Sequence, residues 1–124
     1  MASAQTGTGK TLAFAIPVID RIHSFKSSKR AVGIKCLVMV PTRELAMQIN
    51  DVFVQLARHT KVKSYVVHGG VEQDAQIKKL QNGIDILIAT PGRMFDLISQ
   101  GYIKIKGIHT LVLDEADEML RMGF

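Results

Sequence analysis

Four short apolar runs, each cut off by a polar or glycine-bearing turn, constrain this chain more than any other feature. They are "IKCLVMV" (34–40), "VKSYVV" (62–67), "IDILIAT" (84–90) and "IHTLVLD" (108–114). Runs of this length, rich in branched side chains, read as strands, the first and the last of them buried. Between them the pattern turns helical. In "PTRELAMQINDVFVQLARH" (41–59) Leu45, Ile49, Val52, Phe53, Leu56 and Ala57 repeat at the spacing of one helical face. A poorer pattern predicts a helix over 71–81. "PGRMFDLIS" predicts a short one with Pro91 in its first turn, where a missing amide hydrogen costs little. "EADEMLRMG" begins another. Strand–helix alternation predicts an α/β fold, a mostly parallel sheet flanked by helices. Ligands of such sheets sit outside the carboxyl ends of the strands. The polar motifs of this chain all fall there, after 40, 67, 89 and 113.

With 124 residues, 47% of them hydrophobic, the chain can bury one modest core. Its net charge of +5 is compatible with an anionic partner and equally with a solvated basic surface. The single cysteine, Cys36, cannot form an internal disulfide, which points to a reducing compartment: the cytoplasm, or the nucleus of a eukaryote. Lying inside an apolar run, it reads as a core residue. No apolar stretch reaches the roughly 20 residues of a bilayer span. His23, His59, His68 and His109 lack zinc-ligand spacing. "KSSKR" (26–30) reads as a solvated connection. One local conflict stands out: Pro17 lies inside the apolar run "LAFAIPVI", and should kink or end a helix near Ala13 to Ile16.

The chain opens on chemistry. Ala4-Gln5-Thr6-Gly7-Thr8-Gly9-Lys10-Thr11 fits the phosphate-loop pattern G-x-x-x-x-G-K-[ST], with Ala4 in place of the first glycine. Gly7 and Gly9 let the backbone curl so that amide hydrogens point at a phosphate. Lys10 brings a charge to the β- and γ-phosphates, and Thr11 offers a hydroxyl to Mg²⁺. A helix starting near Lys10 adds its own positive end. Leu12 occupies the third-glycine place of the dinucleotide fingerprint, so the pattern favours a nucleoside triphosphate over NAD. "LVLDEAD" then supplies carboxylates after an apolar strand. Asp114 can hold the metal, and Glu115 can orient and deprotonate a water. Taken alone, Asp114 reads equally as a helix cap, with Glu115 and Asp117 favouring the helix's positive end.

Together these motifs resemble those of the DEAD-box ATP-dependent RNA helicases, and Asp114-Glu115-Ala116-Asp117 spell that family's signature. The resemblance covers essentially the whole chain. Ala4 to Thr11 resembles motif I, in which alanine at the first place is usual. "PTRELA" (41–46) resembles motif Ia, Gly69-Gly70 the double-glycine motif and "TPGR" (90–93) motif Ib. It implies a RecA-like P-loop fold, ATP with Mg²⁺, and RNA unwinding by local strand separation. It also implies that Pro41, Thr42, Arg43, Gly69, Gly70, Thr90, Gly92 and Arg93 grip the sugar-phosphate backbone of one strand. None of these groups reads a base edge, so binding is expected to be sequence-independent and sensitive to salt.

The family's first domain usually carries a strand and an adenine-recognising Q motif before motif I. It continues to motif III, and a second RecA-like domain supplies arginine fingers. On that pattern the chain reads as part of the first RecA-like domain. Weak nucleotide binding, negligible ATPase and no unwinding are expected of it alone, because arginine fingers are worth about 10³ to 10⁵ in rate. An uncovered sheet edge also makes self-association an expectation. Two other functions fit the residues: a nucleic-acid-binding module without turnover, and a P-loop ATPase acting on DNA.

Overall fold

The computed structural model describes residues 8–27, 33–121 and 123. Among them run α1 (Thr8–Ser27), β1 (Cys36–Met39), α2 (Arg43–Leu56), β2 (Ser64–Val67), α3 (Gln73–Gln81), β3 (Ile86–Ala89), α4 (Pro91–Ser99), β4 (Thr110–Leu113) and α5 (Ala116–Arg121). The four strands form one sheet in the order β2-β3-β1-β4, with every pairing parallel. Both findings agree with the α/β expectation.

β1 and β3 are buried at every residue because both their faces are covered. On one face Cys36, Val38, Ile86 and Ile88 meet Ala15, Val18, Ile19 and Ile22 of α1 and Ala46, Ile49 and Phe53 of α2. The rings of Phe14 and Phe53 lie 6.0 Å apart, in a tilted arrangement that joins the two helices. On the other face Leu37, Met39, Leu87 and Ala89 meet Ile77 of α3, Met94 and Leu97 of α4, and Met119 of α5. Burial pushes the Cys36 thiol up to about 12, so it stays protonated and inert.

Two expectations need correction. α1 does not stop before Pro17 but runs through it to Ser27. Pro17 sits on the exposed side, while Ala15, Val18, Ile19 and Ile22 around it are pinned to the sheet. Packing outweighs the lost hydrogen bond. The run 108–114 is also not a buried strand: among the described residues β4 lies at the edge of the sheet, and Leu111 and Leu113 are 58% and 50% exposed.

At the amino ends of the strands, Lys35 Nζ and Asp85 Oδ1 lie 2.6 Å apart with both side chains buried. Asp85 Oδ2 also accepts from the Lys63 amide at 2.8 Å. The neighbouring His109 has its pKa lowered from 6.5 by partial burial and by the charges of Arg21 and Lys35. "KSSKR" lies largely outside the described residues.

Candidate functional site at the carboxyl ends of the strands

Register builds this site. It aligns Met39, Val67, Ala89 and Leu113 in one row across the sheet. The ladder then continues one residue further along the rim. The Thr90 amide donates to Val67 O at 3.3 Å, the Val40 amide to Ala89 O at 3.0 Å, and the Asp114 amide to Met39 O at 2.9 Å. The four motif-bearing turns therefore leave the sheet side by side on a fixed edge. In spatial order they follow β2, β3, β1 and β4.

The turn after β1 begins α2. Pro41 is buried and shapes the turn, leaving Thr42 and Arg43 exposed. Thr42 caps the helix, its Oγ1 accepting from the Leu45 amide at 3.2 Å. The hydroxyl hydrogen stays available to a phosphate. Arg43 is 3.9 Å from Glu44, an exposed pair of little energetic weight.

The turn after β2 holds the two glycines. Gly70 has φ +83°, a conformation that suits glycine, and a Cβ placed on it would lie 3.9 Å from Arg43 Nη1. Motif Ia and the double glycine thus meet. A Cβ placed on Gly69 or on Gly92 would meet nothing within 4 Å. Fold packing does not explain glycine at these two exposed positions.

The turn after β3 begins α4 with Pro91 at its start. Thr90, the residue before it, makes no side-chain cap hydrogen bond, and an uncapped first turn suits an anion. Arg93 is used differently. Its Nη1 donates to Gln76 Oε1 at 2.8 Å and its Nη2 to the Val71 carbonyl at 3.1 Å. Gln76 is buried on α3 and was missed at the sequence level. Its only sequence signal was the poor apolar periodicity of 71–81, where a polar side chain takes a core-facing place.

At the far end of the rim Asp114 is 2% exposed, immediately after β4. Glu115 has φ 60°, the only positive φ among the described residues other than glycine. Its carbonyl accepts from the Met119 amide at 3.1 Å, which starts α5. A left-handed glutamate is strained, and such strain concentrates at functional positions.

On the amino side, α1 begins at Thr8, two residues before the expected start, so Gly9 and Lys10 fall in its first turn. Thr11 is 6% exposed. Ala4, Gln5, Thr6 and Gly7 lie outside the described residues.

The DEAD/DEAH box helicase family model matches residues 1–124. Over 121 residues, 98% of the chain, it is 50% identical to the ATP-dependent RNA helicase DBP3 of Eremothecium gossypii. To the DBP3 of Lodderomyces elongisporus it is 48% identical over the same share. The chain spans 22% of the length of each of these relatives. In structure it is similar to the yeast DEAD-box splicing factor Prp28, with a TM-score of 0.84 and 36% identity, over 100% of this chain and 29% of that one. It is also similar to a hypothetical ATP-dependent RNA helicase from Sulfolobus tokodaii, with a TM-score of 0.82 and 40% identity, over 98% of this chain and 33% of that one. The parallel sheet is thus the RecA-like arrangement of these neighbours. Motif order, rim geometry and a family match over the full length agree: the chain belongs to the DEAD/DEAH box helicases.

Proposed function

We propose that this chain is part of the first RecA-like domain of an ATP-dependent RNA helicase and that its strand-end rim holds two ligands. Mg²⁺-ATP lies towards α1 and β4, and one RNA strand lies across the turns after β1, β2 and β3. One observation carries the reading: the parallel register that sets these turns on a single edge.

The nucleotide end has suitable donors. Thr11 and Asp114 are oxygen donors more than nine-tenths buried, the ligand type that Mg²⁺ prefers. Mg²⁺ held by these oxygens would neutralise charge on the triphosphate. The phosphate-loop pattern of Ala4 to Thr11 would supply backbone amides to the phosphates, and Lys10 an ammonium. Glu115 orients the attacking water and takes its proton.

The RNA end holds by backbone contacts. Thr42 and Arg43 contact phosphate, Gly69, Gly70 and Gly92 admit the strand closely, and the Thr90 hydroxyl and α4 amides complete the track. A second RecA-like domain of the longer protein supplies the remaining transition-state charge. The chain alone therefore binds nucleotide weakly and turns it over negligibly. It also associates with itself through β4. The compartment is reducing, cytoplasmic or nuclear.

Titration of this chain with short single strands of unrelated sequence tests the RNA reading. RNA affinities should agree within about threefold and fall linearly on a log–log plot against salt. Strong preference for one sequence, or salt-independent binding, contradicts it. DNA binding equal to RNA binding moves the substrate to DNA. ATP turnover by this chain that Glu115→Gln removes contradicts the need for the second domain.

A further inference from the structure

Four polar contacts surround the double-glycine turn, and only one of them, from His68 to the Gly69 carbonyl, uses a glycine of the turn. Gln76 Nε2 donates to the His68 carbonyl at 3.2 Å, just before Gly69. Arg93 Nη2 donates to the Val71 carbonyl at 3.1 Å, just after Gly70. The two clamping side chains are joined by Arg93 Nη1 to Gln76 Oε1 at 2.8 Å. His68 Nδ1 lies 2.9 Å from Gly69 O. With its oxygen engaged by a guanidinium, the Gln76 amide can present only its NH₂ to His68. Each partner thus fixes the other's orientation. Gln76 is 4% exposed, so the network stands on a buried post in α3 and reaches out to the rim.

We propose that Gln76 and Arg93 are positioning residues that hold the double-glycine turn in its RNA-gripping shape, and that Arg93 is not itself a phosphate ligand. Two of its nitrogens are committed to the protein, whereas nearby Arg43 is exposed and its ion-pair partner, the adjacent Glu44, lies 3.9 Å away. The guanidinium's planar fork suits this double task, and lysine cannot reproduce it. Without the clamp, a turn built on two glycines regains the backbone freedom of those residues.

The proposal rests on the rim binding RNA, and its test separates the two claims. Single-stranded RNA affinity is measured against salt for the unmodified chain and for Arg43→Ala, Arg93→Ala, Arg93→Lys and Gln76→Ala. Loss of a phosphate contact lowers the slope of log affinity against log salt by about one. Arg43→Ala should show that change. Arg93→Ala and Gln76→Ala should weaken binding by similar factors with the slope unchanged. Their double variant should be no weaker than either single one. Arg93→Lys should behave like Arg93→Ala.

Amide hydrogen exchange at 69–71, measured without RNA, tests the clamp independently. It should accelerate in Gln76→Ala and in the milder Gln76→Glu, which still accepts from Arg93 but cannot donate to His68. A slope reduced by one in Arg93→Ala, or exchange at 69–71 unchanged in both Gln76 variants, overturns the proposal. Accelerated exchange with no RNA binding by the unmodified chain upholds the clamp and contradicts the RNA reading alone.

Discussion

Glu115 carries its function on a backbone that disfavours it. At φ 60° a side chain crowds the carbonyl, at a cost of about 1–2 kcal/mol. Strain of this kind predicts an unusual ordering of two variants that both lose the carboxylate. Glu115→Gly should be more stable than Glu115→Ala by roughly 1 kcal/mol in denaturant unfolding, since only glycine relaxes there. Equal stabilities, or a more stable alanine variant, would mean the strain is absent. The sequence identified Glu115 by its chemistry but not by its conformation, because "DEAD" is equally good as an ordinary helix cap. Gln76 was hidden for the opposite reason. A buried glutamine has no motif, and its importance comes entirely from partners at His68 and Arg93 that are distant in sequence.

Helices and strands were legible where local pattern and packing agree. α4 runs over Pro91–Ser99 as its apolar spacing and leading proline predict. α2 occupies 43–56 of the expected 41–59, trimmed at its start by the Thr42 cap. For α1 the ending at Pro17 is what fails, because the apolar residues around the proline hold the helix to the sheet. Its exposed position allows a direct check: Pro17→Ala should restore a helical hydrogen bond and raise stability by up to about 3 kcal/mol. A drop in stability would show that the proline shapes the helix's fit to the sheet. The Lys35–Asp85 pair was not foreseen either, since nothing local links residues 50 apart. Asp85→Ala leaves a buried ammonium uncompensated and should cost about 3–5 kcal/mol. The double variant Lys35→Met/Asp85→Leu should recover most of that loss. A double variant as unstable as the single one would place the cost in the Lys63 amide that Asp85 also accepts from.

At the scale of the molecule, the parallel sheet joins motifs that run from Pro41 to Asp117 along one rim, and alternation of strand and helix was enough to expect it. The status of β4 was not legible, because "IHTLVLD" has the same composition whether it sits at the centre or the edge. Its exposed Leu111 and Leu113, with Phe95 50% and Leu120 69% exposed beside them, predict concentration-dependent self-association. Sedimentation should show it, and Leu111→Lys/Leu113→Lys should return the chain to monomer; a monomeric unmodified chain contradicts the expectation. The central claim, that the rim receives a nucleic-acid backbone, is tested most directly at Gly92. A Cβ there meets no protein atom, and alanine is favoured over glycine inside a helix by about 0.5–1 kcal/mol. Thermal unfolding and single-stranded RNA affinity measured on Gly92→Ala should therefore move in opposite directions, with a higher Tm and binding weakened about tenfold, ~1.4 kcal/mol. A stabilised variant that binds RNA as tightly as the unmodified chain would contradict the account.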